Sequence, residues 1–154
     1  MSVPLGHTPL QRHLGMHYLD DLDDPPADGS ATVQCDVRDE LRGPAGSVEG
    51  GLVATLLDTA GATAASRALD GLVATQSLTI SFTAPLKVGP AVAVGRPLRV
   101  GKRDAVVEVR LSDAGNGGRL CAVGLLTAVR IGDRPSLGAD GLAAAPAAER
   151  SVET

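Results

Sequence analysis

The chain has 154 residues, with 44% hydrophobic and 21% charged residues, which is typical of one globular domain with its own core. With one Phe, one Tyr and no Trp, that core must be built from Val, Leu, Ile and Ala. A net charge of −4 and an isoelectric point near 5.2 argue against a nucleic-acid partner.

The N-terminal sequence MSVPLGHTPLQRH has no basic segment followed by an apolar one, so we expect no signal peptide. No stretch reaches the ~18 uninterrupted apolar residues of a membrane span, so we expect no membrane partner. Cys35 and Cys121 lie in apolar, strand-like runs and are interpreted as buried free thiols. This cysteine usage predicts a cytoplasmic protein.

Residues 8–15 (TPLQRHLG) predict a short helix closed by its glycine, and the alternating stretch ATVQCDVRD predicts a half-buried strand. The one long helix candidate covers about residues 49–69, with Ser47 as a possible N-cap and an end at Asp70-Gly71.

From residue 75 onwards the pattern has a period of two. TQSLTISFTAP places Leu78, Ile80 and Phe82 on one face and Thr75 on the other. AVAVGRPLRV, AVVEVRLSD and GGRLCAVGLLTAVRI follow as strands, and Pro97 indicates an edge or a bulge. Strand, long helix and four antiparallel strands predict an α+β fold in which one curled sheet covers the helix.

We predict a single domain over residues 1–132. Beyond it, residues 133–154 are rich in Ala, Gly and Pro and have no periodicity, which predicts a mobile tail.

Asp58 is the only charged residue between Gly50 and Ser66. The rest of this helix is apolar around its circumference, which predicts that protein surrounds it. A carboxylate there needs a hydrogen bond or a wet cleft. Two interpretations stay open: a structural Asp bonded to nearby Thr hydroxyls or on a narrow exposed strip, or a general base or nucleophile.

Gly50 and Gly51 begin the same helix. They either allow close packing against another backbone or offer N–H groups to a carbonyl oxygen that develops negative charge. Gly50 and Asp58 lie roughly 12 Å apart along the helix axis, too far to act on one carbonyl within one chain. Two antiparallel helices across a two-fold axis would bring them together. The small residues that would permit this approach are Ala54, Ala60, Gly61 and Ala62.

The segment VEGGLVATLLDTAGATAA, followed by TQSLTISFTAPLKVG and LRVGKRDAVVEVRL, resembles the hotdog-fold acyl-CoA thioesterases, in the branch that includes the phenylacetate-pathway enzymes. The resemblance covers about residues 12–131 and implies one long central helix wrapped by a curled antiparallel sheet of five to six strands. The positions that match the family pattern are Gly46, Gly50, Gly51, Asp58, Pro85 and Gly89.

The resemblance implies a thioesterase that hydrolyses an acyl-CoA or acyl-carrier thioester. Asp58 would be the general base or nucleophile, and the Gly50 N–H from the other subunit would polarise the carbonyl. Thr75 falls where many relatives carry a Ser or Thr that holds the attacking water, although an ordinary strand Thr is the alternative.

Substrate binding is assigned by the same resemblance to Gly51 and, near the CoA phosphates, to Lys102 and Arg103. The partners implied are the acyl-CoA and further copies of the chain, as a homodimer or homotetramer. No cofactor is expected besides the coenzyme A of the substrate. No metal site is expected either, because all three histidines precede residue 18.

Two positions depart from the family pattern: Glu49 replaces a His, and Gly43 replaces an Asn. An ionised Glu cannot donate a hydrogen bond to a carbonyl and would repel an oxyanion. Glu49 would instead favour the positive end of the helix dipole, be neutral, or act as a second acid/base group. A non-catalytic acyl-CoA-binding hotdog protein is therefore the alternative function.

Overall fold

A computed structural model of the chain describes residues 8–21 and 24–133. Its elements in chain order are α1 (Pro9–Leu14), β1 (Met16–Tyr18), β2 (Ala31–Cys35), α2 (Gly50–Leu69), β3 (Leu72–Phe82), β4 (Ala91–Val100), β5 (Asp104–Asp113) and β6 (Arg119–Gly132). The predicted tail, apart from its first residue, lies outside the described residues, so the domain boundary stays a prediction.

The six strands form one antiparallel sheet in the order β1-β2-β4-β5-β6-β3. This sheet curls around α2, which contacts β2 through β6. One long helix wrapped by a six-stranded antiparallel sheet confirms the predicted hotdog fold. A register shift between Pro97 and Arg99 confirms the predicted bulge in β4.

Helix α2 begins and ends on backbone interactions. Its N-cap is Glu49, whose side chain makes no capping hydrogen bond, so the predicted N-cap at Ser47 is wrong. The Glu49 N–H donates to the Leu41 carbonyl (3.1 Å), which fixes where the chain enters the helix. The helix ends at Asp70, in the left-handed conformation (φ 46°), with its N–H on the Arg67 carbonyl. This end was predicted.

The helix approaches the sheet closely at β4. A Cβ built on Gly95 would lie 2.6 Å from the carbonyl oxygen of Ala60, and one on Gly61 would lie 2.8 Å from the Leu126 side chain. Ala60 and Gly61 therefore face the sheet, and the prediction that they help a second helix approach is wrong. Their small size serves contact between α2 and its own sheet.

The opposite face of α2 is left uncovered. Gly51 is exposed, and Thr55, Asp58 and Ala62 are half-buried. Their spacing of four, three and four residues places them on one side of the helix. We call these four residues the open stripe. The prediction that protein surrounds the helix on all sides is therefore wrong within one chain.

A bulge in β3 decides which side chains reach the helix. The register of β3 against β6 leaves Gln76 out of the ladder. Thr75 is opposite the buried Ala128 and Leu78 is opposite the buried Leu126, so both point to the inner face. The predicted alternation placed Thr75 on the outer face. That prediction is wrong because one inserted residue reverses the alternation.

Cys35 and Cys121 are both buried and free, as predicted. Burial raises the pKa of both thiols, so neither is a reactive thiolate near neutral pH.

Within the described ranges, no helix combines the length and apolar character needed to cross a membrane.

The helix–sheet contact predicts unequal costs for adding one methyl group. Gly95→Ala would push its Cβ into backbone atoms of α2, so we expect the free energy of unfolding to fall by about 1–3 kcal/mol. At Gly51 a Cβ meets nothing within 4 Å, so Gly51→Ala should be neutral or stabilise by less than about 1 kcal/mol. Urea unfolding of both variants checks this. Equal stabilities would contradict the close contact.

Candidate active site

Asp58 is held by a hydrogen bond across from β3. The Thr75 hydroxyl Oγ1 donates to Asp58 Oδ1 at 2.8 Å. This contact exists because the bulge turns Thr75 towards the helix. The second oxygen, Oδ2, accepts no hydrogen bond within the described chain and is open towards solvent. The geometry unites two predicted interpretations: Asp58 is bonded to a Thr, and it lies on an exposed strip.

The start of α2 presents free donors. Gly50 and Gly51 are exposed, and neither N–H finds an acceptor among the residues that the structure describes. Such N–H groups carry the positive end of the helix dipole. The ring of Phe82 lies beside them, because a Cβ built on Gly50 would be 3.4 Å from its Cζ. Phe82 is 58% exposed although it points to the inner face opposite Ala122.

These contacts define two separate half-sites on one helix. Gly50 is next to Phe82, at the end of β3, whereas Asp58 is next to Thr75, near its beginning. The structure does not bring Gly50 and Asp58 together within one chain, in agreement with the predicted separation.

Glu49 is exposed and lies against Gly43. A Cβ built on Gly43 would be 3.3 Å from Glu49 Cγ and 3.8 Å from its Oε1. The two positions that depart from the family pattern are therefore neighbours in space.

Lys102 and Arg103 lie in the exposed turn between β4 and β5. Ala105, just after this turn, pairs with Ala128, which in turn pairs with Thr75. The turn is thus at the same end of the sheet as Thr75, two strands away, about 10 Å across the sheet. The two basic residues make no contact with Asp58 in the described chain.

Asp113 holds the loop that follows β3, a role that sequence reasoning missed. Its buried carboxylate accepts backbone N–H groups from Lys87 (3.0 Å), Val88 (3.0 Å) and Gly89 (2.7 Å). Burial alone would raise the pKa of Asp113, but the three N–H donors, helped by the Arg42 charge, lower it below its usual 3.8. In the sequence, this role is indicated only by the position of Asp113 at the end of a predicted strand, in the segment SDAGN.

This loop in turn holds the start of α2. Arg42 Nη1 donates to the carbonyls of Lys87 (2.8 Å) and Gly46 (3.0 Å), and the Val48 N–H donates to the Leu86 carbonyl (2.9 Å). The segment that leads into Gly50 is therefore fixed by hydrogen bonds to the loop that Asp113 clamps.

No group of three or more His, Cys, Asp or Glu side chains that would suit a metal ion occurs in residues 8–21 and 24–133. His13 lies in α1 and His17 in β1; His7 is outside the described residues.

Known proteins share this architecture. The family model of the thioesterase superfamily matches residues 45–119. A protein of Saccharolobus solfataricus, named as a candidate esterase, is 33% identical over 87 residues, which are 56% of this chain and 62% of that protein. The match thus spans less than two thirds of that relative's length.

Two solved structures illustrate the likeness in three dimensions. A variant of PaaI, the phenylacetic acid degradation protein of Thermus thermophilus, is 26% identical with a TM-score of 0.70, over 80% of this chain and 100% of that one. PaaI of E. coli, from the phenylacetic acid degradation operon, is 23% identical with a TM-score of 0.71, over 82% of this chain and 86% of that one. At 23% identity the second likeness concerns the fold.

The chain is thus similar to the thioesterase superfamily over residues 45–119 and shares the hotdog fold of these solved structures. Among them it resembles PaaI of Thermus thermophilus at 26% identity.

The Asp113 clamp predicts a pH-dependent stability. Its folded-state pKa lies below 3.8, so the ionised carboxylate stabilises the fold fully above about pH 4. This stabilisation is lost as the pH falls through the folded-state pKa. In Asp113→Asn an amide NH2 would face backbone donors, so we expect a loss of about 2–4 kcal/mol at pH 7. Urea unfolding should show that the difference in the free energy of unfolding between wild type and Asp113→Asn becomes smaller as the pH falls towards 3.

The exposed Asp36→Asn serves as the control and should differ little from wild type at either pH. If the free energies of unfolding of wild type and Asp113→Asn differ by the same amount at pH 7 and pH 3, the ionised Asp113 carboxylate does not stabilise the loop as described.

Proposed function

We propose that the protein is a thioesterase that hydrolyses an acyl-CoA or acyl-carrier thioester to a free acid and a thiol, in a site shared by two copies of the chain. The observation that carries this proposal is the pair of half-sites on α2. One offers free N–H donors at Gly50, and the other offers a carboxylate, Asp58, oriented by Thr75 with one oxygen open. These are the groups that acyl transfer requires.

Strand β3 favours assembly with a second copy. Among the described strands it is an edge strand of 11 residues that pairs with β6 alone, and no charged residue occurs between Asp70 and Lys87. A long uncharged edge is a template for pairing with another strand. Among the available partners, an identical β3 would pair in antiparallel fashion around a two-fold axis.

That pairing would bring the half-sites together. With the axis at Thr79 and Gln76 left out of the ladder, Thr75 of one copy is opposite Phe82 of the partner subunit. Both point to the inner face, as directly opposed residues must. Because Phe82 lies beside Gly50 and Thr75 holds Asp58, the free N–H groups of one copy would face the carboxylate of the other.

In the proposed reaction, the N–H of Gly50 of the partner subunit stabilises the negative charge on the thioester oxygen. Two routes are open for Asp58. It removes a proton from a water whose oxygen attacks the carbonyl carbon, or its own oxygen attacks and forms an anhydride that water then hydrolyses. In both, the C–S bond breaks, the thiolate leaves and takes up a proton, and the acid is released.

Lys102 and Arg103 would meet the phosphates of the coenzyme A, since they lie at the Thr75 end of the sheet and form no ion pair within the described chain. Coenzyme A enters as part of the substrate, and we propose no further cofactor.

Glu49 beside Gly50 favours a second candidate, a non-catalytic acyl-CoA-binding protein, because its charge opposes an oxyanion. Tight acyl-CoA binding without turnover would favour this candidate.

Removing the carboxylate should abolish most turnover. We expect Asp58→Asn to lower kcat on a panel of acyl-CoAs by about 10²–10⁴-fold. Thr75→Val should lower it by about tenfold, the equivalent of one hydrogen bond to a charged group. Release of free thiol gives the rates. Thr127→Val, which removes a hydroxyl from the outer face of β6, is the control. Equal rates for wild type and Asp58→Asn would remove Asp58 from the mechanism.

Mixed dimers test whether the site is shared. Gly50→Pro removes the N–H at the first helical position, where proline fits because Glu49 is already extended (φ −61°, ψ 139°). Alone, Gly50→Pro and Asp58→Asn should each be inactive. In random mixed dimers, one site of each heterodimer has both groups intact, so unfolding and refolding the two together should restore about a quarter of wild-type activity. No recovery, with heterodimers present, would place both groups in one chain.

A further inference from the structure

Glu49 has a fixed backbone at the edge of the proposed site. Its N–H donates to the Leu41 carbonyl (3.1 Å), and its own carbonyl accepts from the N–H groups of Leu52 (3.1 Å) and Val53 (3.2 Å). The side chain therefore leaves from a backbone that is held on both sides, directly next to the free N–H of Gly50.

The direction of this side chain is set by Gly43. Glu49 Cγ and Oε1 would lie 3.3 Å and 3.8 Å from a Cβ at position 43. Gly43 does not have a left-handed φ, so its backbone does not require glycine. Its own hydrogen bonds, from its N–H to Ser47 and from Gly46 to its carbonyl, fix it in place. The glycine is explained by the room it leaves for the Glu49 side chain.

The charge of Glu49 is left uncompensated. No side-chain ion pair found among the described residues includes Glu49. Arg42, in the same loop, is engaged by Asp39 and by two backbone carbonyls. The carboxylate makes no capping bond to the helix either. An unpaired negative charge therefore stands beside the donors that would receive the thioester oxygen.

We propose that Glu49 determines specificity by repelling acyl groups that carry a carboxylate of their own, so that the site prefers neutral acyl thioesters. This inference rests on the proposed function. When the thioester oxygen is bound at Gly50, the acyl carbons begin one residue away from Glu49. In a four-carbon dicarboxylic acyl group, the free carboxylate is only three carbon–carbon bonds from the carbonyl carbon. Two like charges at such short range repel each other strongly, and added salt weakens this repulsion by screening it.

The test compares butyryl-CoA with succinyl-CoA, which have the same chain length and differ in one terminal carboxylate. We expect Glu49→Gln to raise the ratio of kcat/KM for succinyl-CoA over butyryl-CoA about tenfold at low ionic strength. In wild type this ratio should rise with added salt, whereas in Glu49→Gln it should depend little on salt. Gly43→Ala, which displaces the carboxylate and keeps its charge, should shift the ratio in the same direction by a smaller factor.

Glu40→Gln is the matched control, since it removes the same charge from an exposed residue of the same loop region and should leave the ratio unchanged. An unchanged ratio in Glu49→Gln overturns the inference. If kcat/KM also falls by the same factor on both substrates, Glu49 acts as a general acid/base group instead. If wild type cleaves no acyl-CoA, the proposed thioesterase function fails. The same ratio, measured as dissociation constants of the two thioesters by calorimetry, then decides the role of Glu49.

Discussion

The close contact between α2 and β4 is the constraint on which the rest of the structure depends. At Gly95 the sheet meets the carbonyl of Ala60 with no side chain between them, and Gly61 of the helix lies directly against the side chain of Leu126. A helix that packs this closely against a curved sheet buries one of its faces completely and leaves the opposite face uncovered by the sheet. The open stripe exists because all the packing is concentrated on the opposite side. Asp58 is tolerated in so apolar a helix because it lies on that stripe.

The chemistry of the helix is divided between its start and its middle, and β3 supplies a neighbour to each part. Phe82 and Thr75 mark the two places on the strand, and the distance between them is fixed by covalent geometry. The start of the helix is itself held indirectly, through Asp113 and Arg42, by residues distant in sequence. In the proposed dimer, the geometry of the site would thus come from rigid strands and clamped loops together with the hydrogen bond between Thr75 and Asp58.

The sequence was sufficient for the features that depend on local pattern. The extent of α2, its end at Asp70 and the succession of strand, long helix and four strands along the chain follow from periodicity and turn residues. The bulge at Gln76 was not predictable, because Gln76 fits the alternation as well as any polar residue and only the pairing with β6 shows that it is extra. The same holds for Ala60 and Gly61: small residues permit a close approach, but their sequence does not say which surface approaches. Gly43 and Glu49 are six positions apart, and their contact arises from the fold of the loop.

The bulge in β3 has a consequence for how such a strand changes during evolution. Along β3, the face that a residue occupies depends on a count of residues rather than on their identity. Loss of the single codon for Gln76 would leave Thr75 opposite Ala128 and Ser77 opposite Thr127, so the ladder would become regular with the Thr75 hydroxyl still facing Asp58. A strand of full length that paired without the bulge would place Gln76 in the ladder and turn Thr75 away from Asp58, while Leu78 and Ile80 kept their places against the helix. The support that β3 gives to the carboxylate therefore survives a deletion at the bulge but not the regular pairing of the full-length strand.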